Sequence, residues 1–284
     1  MSHRIHLNWF NSELAERAAA IARGTVEPAP ARDAATVVIL RASSLPGNAA
    51  EILLLKRPAT MNFAAGAYVF PGGRVDAADA DPRIGWHGPS PAEFGVRLGS
   101  SADEARSLVV AAVRETYEES GVLLAGTPDG ATAVPGGPEW AADRLALNAG
   151  QLSFPDLLVK RGLVILADRI IPWSRWITPA AEPRRYDTRF FAAVVPPGQT
   201  ADGHLAEADR IAWIDPAAAL DAARAGEFTL LPPTAITLGE FASAGDDLAA
   251  FLGQLREITP IQPHIVASDG EAWLEIPSKA PYPL

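Results

Sequence analysis

Arg114-Glu115-Thr116-Tyr117-Glu118-Glu119-Ser120-Gly121-Val122 places three acids beside a glycine at the end of a helical pattern. On a helix, Glu115 lies three and four residues from Glu118 and Glu119, so all three carboxylates project from one face. Like charges at that spacing destabilise a helix by roughly 0.2–0.5 kcal/mol per pair. A divalent cation reverses the sign of that interaction, and Mg²⁺ prefers hard oxygen ligands of this kind. A solvated acidic face is the competing reading of the same residues. Arg114 is placed to pair with Glu118 one turn on. Ser101 is the expected N-cap of this helix, with Glu104 at capping-box spacing, and Gly121 is its expected stop.

Working upstream, Phe70-Pro71-Gly72-Gly73-Arg74-Val75-Asp76 reads as a tight turn at the end of a short strand, AYVF. ATVVILRAS and EILLLKR read as two earlier strands separated by SLPGNAA. Residues 77–100 carry Asp, Pro and Gly throughout and read as an inserted loop. Downstream, VLLA reads as a strand, and helical patches follow near 139–149 and 155–161. Strands are expected around Ile170–Ile177, Phe190–Val195 and Ile211–Ile214. Pro216 opens a further helix, and others are expected near 234–243 and 246–257. Interspersed strands and helices indicate an α/β or α+β layer architecture. The expected division is an N-terminal extension and linker over 1–34, with a helix from about Glu13 to Arg23, then a main domain over 35–260 and a tail over 261–284.

The 284 residues are 48% hydrophobic and 20% charged, which supports a sizeable core and argues against wholesale disorder. A net charge of −10 makes general nucleic-acid binding a poor fit. The absence of cysteine excludes disulfides, zinc–thiolate sites and thiol catalysis. No run approaches bilayer-spanning length and the N-terminus lacks a signal peptide's apolar segment, so no membrane association and a cytoplasmic location are the expectation.

Residues 114–122 resemble the second half of the signature of the Nudix hydrolases, G-x5-E-x7-R-E-U-x-E-E-x-G-U with U a bulky aliphatic residue. The match runs through Arg114, Glu115, Glu118, Glu119, Gly121 and Val122, with Thr116 departing at the first U. Gly73 matches the signature's opening glycine, but 41 residues separate it from Arg114 where the signature has 14, so 27 are inserted. Counted back from Arg114, the signature's first acid falls on Arg106; Asp103 or Glu104 is a possible stand-in. The resemblance implies an α/β/α sandwich with a mixed sheet, here with extra N- and C-terminal helices. It also implies hydrolysis of a nucleoside diphosphate linked to another moiety, dependent on Mg²⁺ or Mn²⁺. By position it assigns metal binding to Glu118 and Glu119, with Glu115 as a further ligand or the base. The Gly72 carbonyl is a possible ligand, and Arg114 orients the carboxylates. A fourth acid from outside the signature is expected at Glu207, or else at Asp209.

LLLKRPATMNFAAGAYVFPGGRVD, with the later WITP, RRYDTRFF and LLPPT segments, resembles the long Nudix group with an interrupted signature, active on coenzyme A and its acyl esters. That group's pattern ahead of FPGG is incomplete. Arg57 is present, Pro58-Ala59 replaces a Ser-Ala pair, and Phe63 stands about where a second Arg belongs. ADP-ribose, NAD(H) and dinucleoside polyphosphates are the alternative substrates, and a non-catalytic nucleotide sensor is the alternative function. Pro138 has the spacing of ADP-ribose enzymes, within a stretch rich in Pro and Gly. Arg57, Arg74, Arg184, Arg185 and Arg189 are the candidate substrate contacts, since arginine suits bidentate phosphate recognition. For the last three, surface ion pairing is the competing reading. Trp173 and Trp176 are expected in the core, with base stacking the alternative. A homodimer is expected on the family's habits alone.

Overall fold

The computed structural model describes residues 3–6, 12–43, 50–58, 65–202, 210–245, 247–268, 271–277 and 282–284. In chain order, β1 (His3–His6) and α1 (Ser12–Ala22) precede β2 (Ala31–Ala42), β3 (Ala50–Lys56), β4 (Ala67–Val69) and β5 (Gly72–Arg74). A 3-10 turn (Ala77–Ala80), β6 (Gly85–His87) and α2 (Pro91–Leu98) lead into α3 (Ala102–Ser120). Then come β7 (Ala125–Gly126), α4 (Pro138–Asn148), α5 (Phe154–Arg161), β8 (Val164–Leu166), β9 (Ile171–Ile177), β10 (Arg185–Val194) and β11 (Arg210–Ile214). The chain finishes with α6 (Pro216–Arg224), β12 (Thr229–Leu230), α7 (Pro232–Ala242), α8 (Leu248–Leu252), β13 (Pro260–Ile261), β14 (His264–Ser268) and β15 (Glu271–Ile276).

The main sheet runs β12-β4-β3-β2-β10-β9-β13, with β11 on β3 and β5 on β2. It is mixed: β10 runs parallel to β2 in unbroken register from Arg185↔Ala31 to Val194↔Leu40, while β9 is antiparallel to β10. A strand of such a sheet is buried on both faces and reads as a continuous apolar run. β2 shows this residue by residue. Ala35, Val37 and Ile39 face a core shared with α3, and Val38 and Leu40 face a second core shared with α6, α7 and α8. Helices therefore cover both faces, giving the α/β/α sandwich. Each fully buried Val, Ile or Leu contributes about 1.5–3 kcal/mol. Trp173 and Trp176 belong to the second core, 1% and 4% exposed, which decides for packing over base stacking.

The segment 77–100 is not an irregular loop. Ser90 caps α2 by accepting from the Glu93 N–H, and the Glu93 carboxylate returns a bond to the Ser90 N–H at 2.7 Å, a complete capping box with Pro91 in the first turn. Ile84, Phe94 and Leu98 enter the α3 core, and Trp86 meets Phe94 edge to face. Arg106 donates to the carbonyls of Asp81 (3.1 Å) and Ile84 (2.6 Å), nine residues before Glu115. The insertion is thus a packed flank of α3. At the C-terminus, β14 and β15 form a hairpin that β1 joins, making a three-stranded sheet from the two ends of the chain. The helix expected over 246–257 is confined to α8. Among the described residues no helix is long and apolar enough to cross a membrane.

Candidate functional site

β4 pairs with β3, and β5 pairs with β2, so the Phe70-Pro71-Gly72-Gly73 turn lies where the chain steps from one strand system to the other. The Pro71 carbonyl accepts from Val37 N–H at 2.9 Å, fixing the turn to the middle of β2. Both glycines are there for space. A Cβ on Gly72 would collide with the Ala35 carbonyl and with Thr36, and a Cβ on Gly73 would collide with the Glu115 carboxylate. The backbone of the turn therefore rests directly on α3. Gly72 N–H donates to Glu119 Oε2 at 2.8 Å.

Arg114 organises the rest. Its side chain is 8% exposed. Nε and one terminal nitrogen clasp Asp79 (2.9 and 3.0 Å), the other terminal nitrogen reaches Glu115 (2.7 Å) and Glu118 (3.2 Å), and a further bond goes to the Arg74 carbonyl (2.8 Å). Asp79 is fully buried and also accepts from the Asp76 N–H at 2.8 Å. A charge buried this way is tolerated only when paired and hydrogen-bonded on all sides. Burial pushes the Glu118 carboxyl up to about 7; Arg114 opposes the shift and the Glu115 charge adds to it. Burial likewise raises Glu115.

Asp79 corrects the account of the interrupted signature. The first acid is not lost at Arg106. It stands six residues after Gly73, as Asp for Glu, because the insertion begins after it. Arg106 anchors the insertion, Asp103 lies in the first turn of α3, and Glu104 pairs with Arg189 at 3.1 Å. Counting forward from Gly73 finds the acid; counting back from Arg114 crosses the insertion and misses it. Ser101 caps α3 as expected, accepting from the Glu104 N–H at 3.2 Å.

Three carboxylates, those of Asp79, Glu115 and Glu118, thus gather around one guanidinium, and Glu119 stands beside them on the Gly72 N–H. Among the described residues no three acids or histidines are grouped closely enough to hold a metal ion, since Glu119 leans on Gly72 and Glu115 and Glu118 lean on Arg114. The donor set still fits a divalent cation. It offers hard oxygens only, it carries excess negative charge in a half-buried place, and burial raises two of its acids against the pull of Arg114.

The candidate substrate arginines separate into two kinds. Arg74 is exposed beside the site, with Asp76 at 3.8 Å, and Arg184 is exposed. Arg57 is half-buried at the end of β3, its Nε without a hydrogen-bond partner among the described residues. Arg185 and Arg189 are engaged internally, so the three neighbouring arginines form no common patch. Arg185 donates to the carbonyls of Thr178 (3.1 Å) and Ala29 (2.7 Å). Arg189 is 1% exposed and meets Asp187 (2.8 Å), Glu104 (3.1 Å) and Asp33 (3.3 Å). Those are the ion pairs of the competing reading, made by a buried guanidinium with Asp33 and Glu104 at the surface. Glu207 and Asp209 lie outside the described residues.

A family model described as the NUDT19 Nudix domain matches residues 87–240, more than half of the chain. Nudix hydrolase 7 of Caenorhabditis elegans is 34% identical over 221 residues, covering 78% of this chain and 65% of that protein. Acyl-coenzyme A diphosphatase NUDT19 of Homo sapiens is 30% identical over 253 residues, covering 75% of this chain and 66% of the human protein. The Gallus gallus protein of the same name is 29% identical, covering 71% and 65%. The chain therefore spans just under two thirds of the length of these relatives. The crystal structure of a NUDIX hydrolase from Alicyclobacillus acidocaldarius matches with a TM-score of 0.62 at 29% identity, covering 80% of this chain and 98% of that one.

Proposed function

Because the chain belongs to the Nudix hydrolase family, we propose that it hydrolyses the diphosphate linkage of a nucleoside diphosphate derivative with Mg²⁺ or Mn²⁺, coenzyme A and acyl-CoA first among its substrates. One observation carries the reading: Glu115, Glu118 and Glu119 share one face of α3 against the Gly72-Gly73 turn, organised by Arg114. The preference for CoA-type substrates rests on the names of the human and chicken relatives and on the long interrupted signature.

In this reading Glu118 and Glu119 hold the cation, with Glu115 and the Gly72 carbonyl as further oxygen donors and Glu207 or Asp209 as the outside acid. The bound cation supplies Lewis-acid polarisation of the diphosphate and a water acidified toward neutral pH. Arg114, locked by Asp79, keeps Glu115 and Glu118 on the stripe and off bulk water. Gly73 lets the turn approach Glu115, so the carboxylates face a wall of backbone rather than side chains. Arg74 and Arg57 stand as the chain's cations for the anionic substrate, which an acidic protein otherwise repels.

The test incubates the protein with CoA, acyl-CoA, ADP-ribose, NADH and a dinucleoside polyphosphate in Mg²⁺ or Mn²⁺, and identifies products by mass spectrometry. Cleavage of CoA into 3′,5′-ADP and 4′-phosphopantetheine supports the CoA assignment. Cleavage of ADP-ribose or NADH alone moves the substrate and keeps the chemistry. Tight nucleotide binding without turnover supports a sensor instead.

A further inference from the structure

The acids of the proposed metal site occupy the worst end of their helix. Carboxylates are disfavoured at a helix C-terminus, where exposed carbonyls and the helix dipole already concentrate negative charge. The last turn of α3 contains no basic residue of its own. The compensation comes from another helix. Arg144 of α4, 4% exposed, donates to the Glu118 carbonyl from Nε (3.3 Å) and from a terminal nitrogen (3.1 Å), and Asn148, one turn on, adds a third bond at 3.4 Å. The other terminal nitrogen of Arg144 meets the Asp202 carboxylate, and the Asp202 N–H donates to the Ser120 carbonyl at 2.9 Å. Gly121 makes room for this arrangement. Its φ of 75° is left-handed, and a Cβ there would come within 2.8 Å of Arg144. The glycine of the signature thus serves both the helix stop and the guanidinium that caps it.

We propose that Arg144 is a positioning residue that fixes the Glu118–Glu119 turn for cation binding by capping the C-terminus of α3 from outside and tying it to Asp202. It touches neither cation nor substrate. The inference rests on the reading of Glu118 and Glu119 as metal ligands and goes beyond it, since Arg144 lies outside the signature. Replacing a group that orients metal ligands costs 10–100-fold in metal affinity or activity.

Mn²⁺ binding to the substrate-free protein, measured by electron paramagnetic resonance, tests it in wild type, Arg144→Lys, Arg144→Gln and Asp202→Asn, with circular dichroism and melting temperature read in parallel. The expected result is at least tenfold weaker Mn²⁺ binding in the folded Arg144 variants and about threefold weaker binding in Asp202→Asn, which keeps the buried guanidinium in place. Added Mn²⁺ should restore most of the kcat of Arg144→Lys on CoA. A lowered melting temperature with wild-type Mn²⁺ affinity in Arg144→Lys, or in Asp202→Asn should both Arg144 variants fail to fold, would show a purely structural role and overturn the proposal. Wild-type protein that binds no Mn²⁺ would instead remove the metal-site reading, and this inference with it.

Discussion

Asp79→Ala separates a fully buried acid from an equally enclosed guanidinium. Asp79 has no exposed surface and the Arg114 side chain has 8%. The substitution removes two charge-assisted bonds from Arg114, at 2.9 and 3.0 Å, and a third from the Asp76 N–H at 2.8 Å, and leaves Arg114 to Glu115, Glu118 and the Arg74 carbonyl. Breaking a buried pair from one side costs about 3–5 kcal/mol, because the remaining charge stays out of water. The two remaining acids take up part of that charge, so about 3 kcal/mol is the expected loss. At about 2–4 °C per kcal/mol, the melting temperature should fall by roughly 6–12 °C. Urea unfolding of wild type, Asp79→Ala, Arg114→Ala and the double variant closes a double-mutant cycle, with an expected coupling of about 2 kcal/mol or more. Arg114 should also swing further onto Glu115 and Glu118, competing with a cation, so Mn²⁺ affinity should drop as well. A loss below about 1 kcal/mol with additive single effects would refute the assignment of Asp79 as the acid that locks Arg114.

Gly73→Ala drives a methyl group into the Glu115 carboxylate; it should cost about 1–3 kcal/mol in denaturant unfolding and abolish most turnover of CoA. Arg189→Ala removes a buried guanidinium, leaving Asp187 to Arg175 and the partly exposed Asp33 and Glu104 to water, so it should lower stability by about 1–3 kcal/mol while leaving KM within about twofold, a split that a phosphate contact would not give. Arg74→Ala, at an exposed position beside the site, should do the reverse, raising KM several-fold with an unchanged melting temperature. Arg106→Met frees the carbonyls of Asp81 and Ile84 and should cost about 1–3 kcal/mol; equal stability in the variant would mean that the insertion is held by its apolar contacts alone.

The parts of the site that were legible in the sequence are those made by local spacing. Three acids at helical intervals, a glycine stop and a Gly-Gly turn need no knowledge of tertiary contacts, and the apolar runs of β2 and β3 announce a covered sheet. What stayed hidden depends on residues far apart in the chain. Arg189 reads as a surface charge because Asp33 and Glu104, which enclose it, lie 156 and 85 residues away. Arg144 carries no local signal, since its partners are a backbone carbonyl 26 residues back and Asp202. The ordered insertion was readable in part: Ser90-Pro91 with Glu93 spells a capped helix start, obscured by the Pro and Gly on either side. The sheet joining β1 to β14 and β15 follows from pairing between chain ends, which short apolar pieces do not specify.

The most direct test titrates Mn²⁺ into substrate-free protein and into Glu118→Gln and Glu119→Gln, following free Mn²⁺ by its paramagnetic resonance. If the stripe on α3 is a cation site, wild type takes up the ion and each amide variant, still folded, binds it at least tenfold more weakly, because each has lost one ligand. Uptake of the same strength in all three proteins, or none in wild type, would contradict the assignment of these acids.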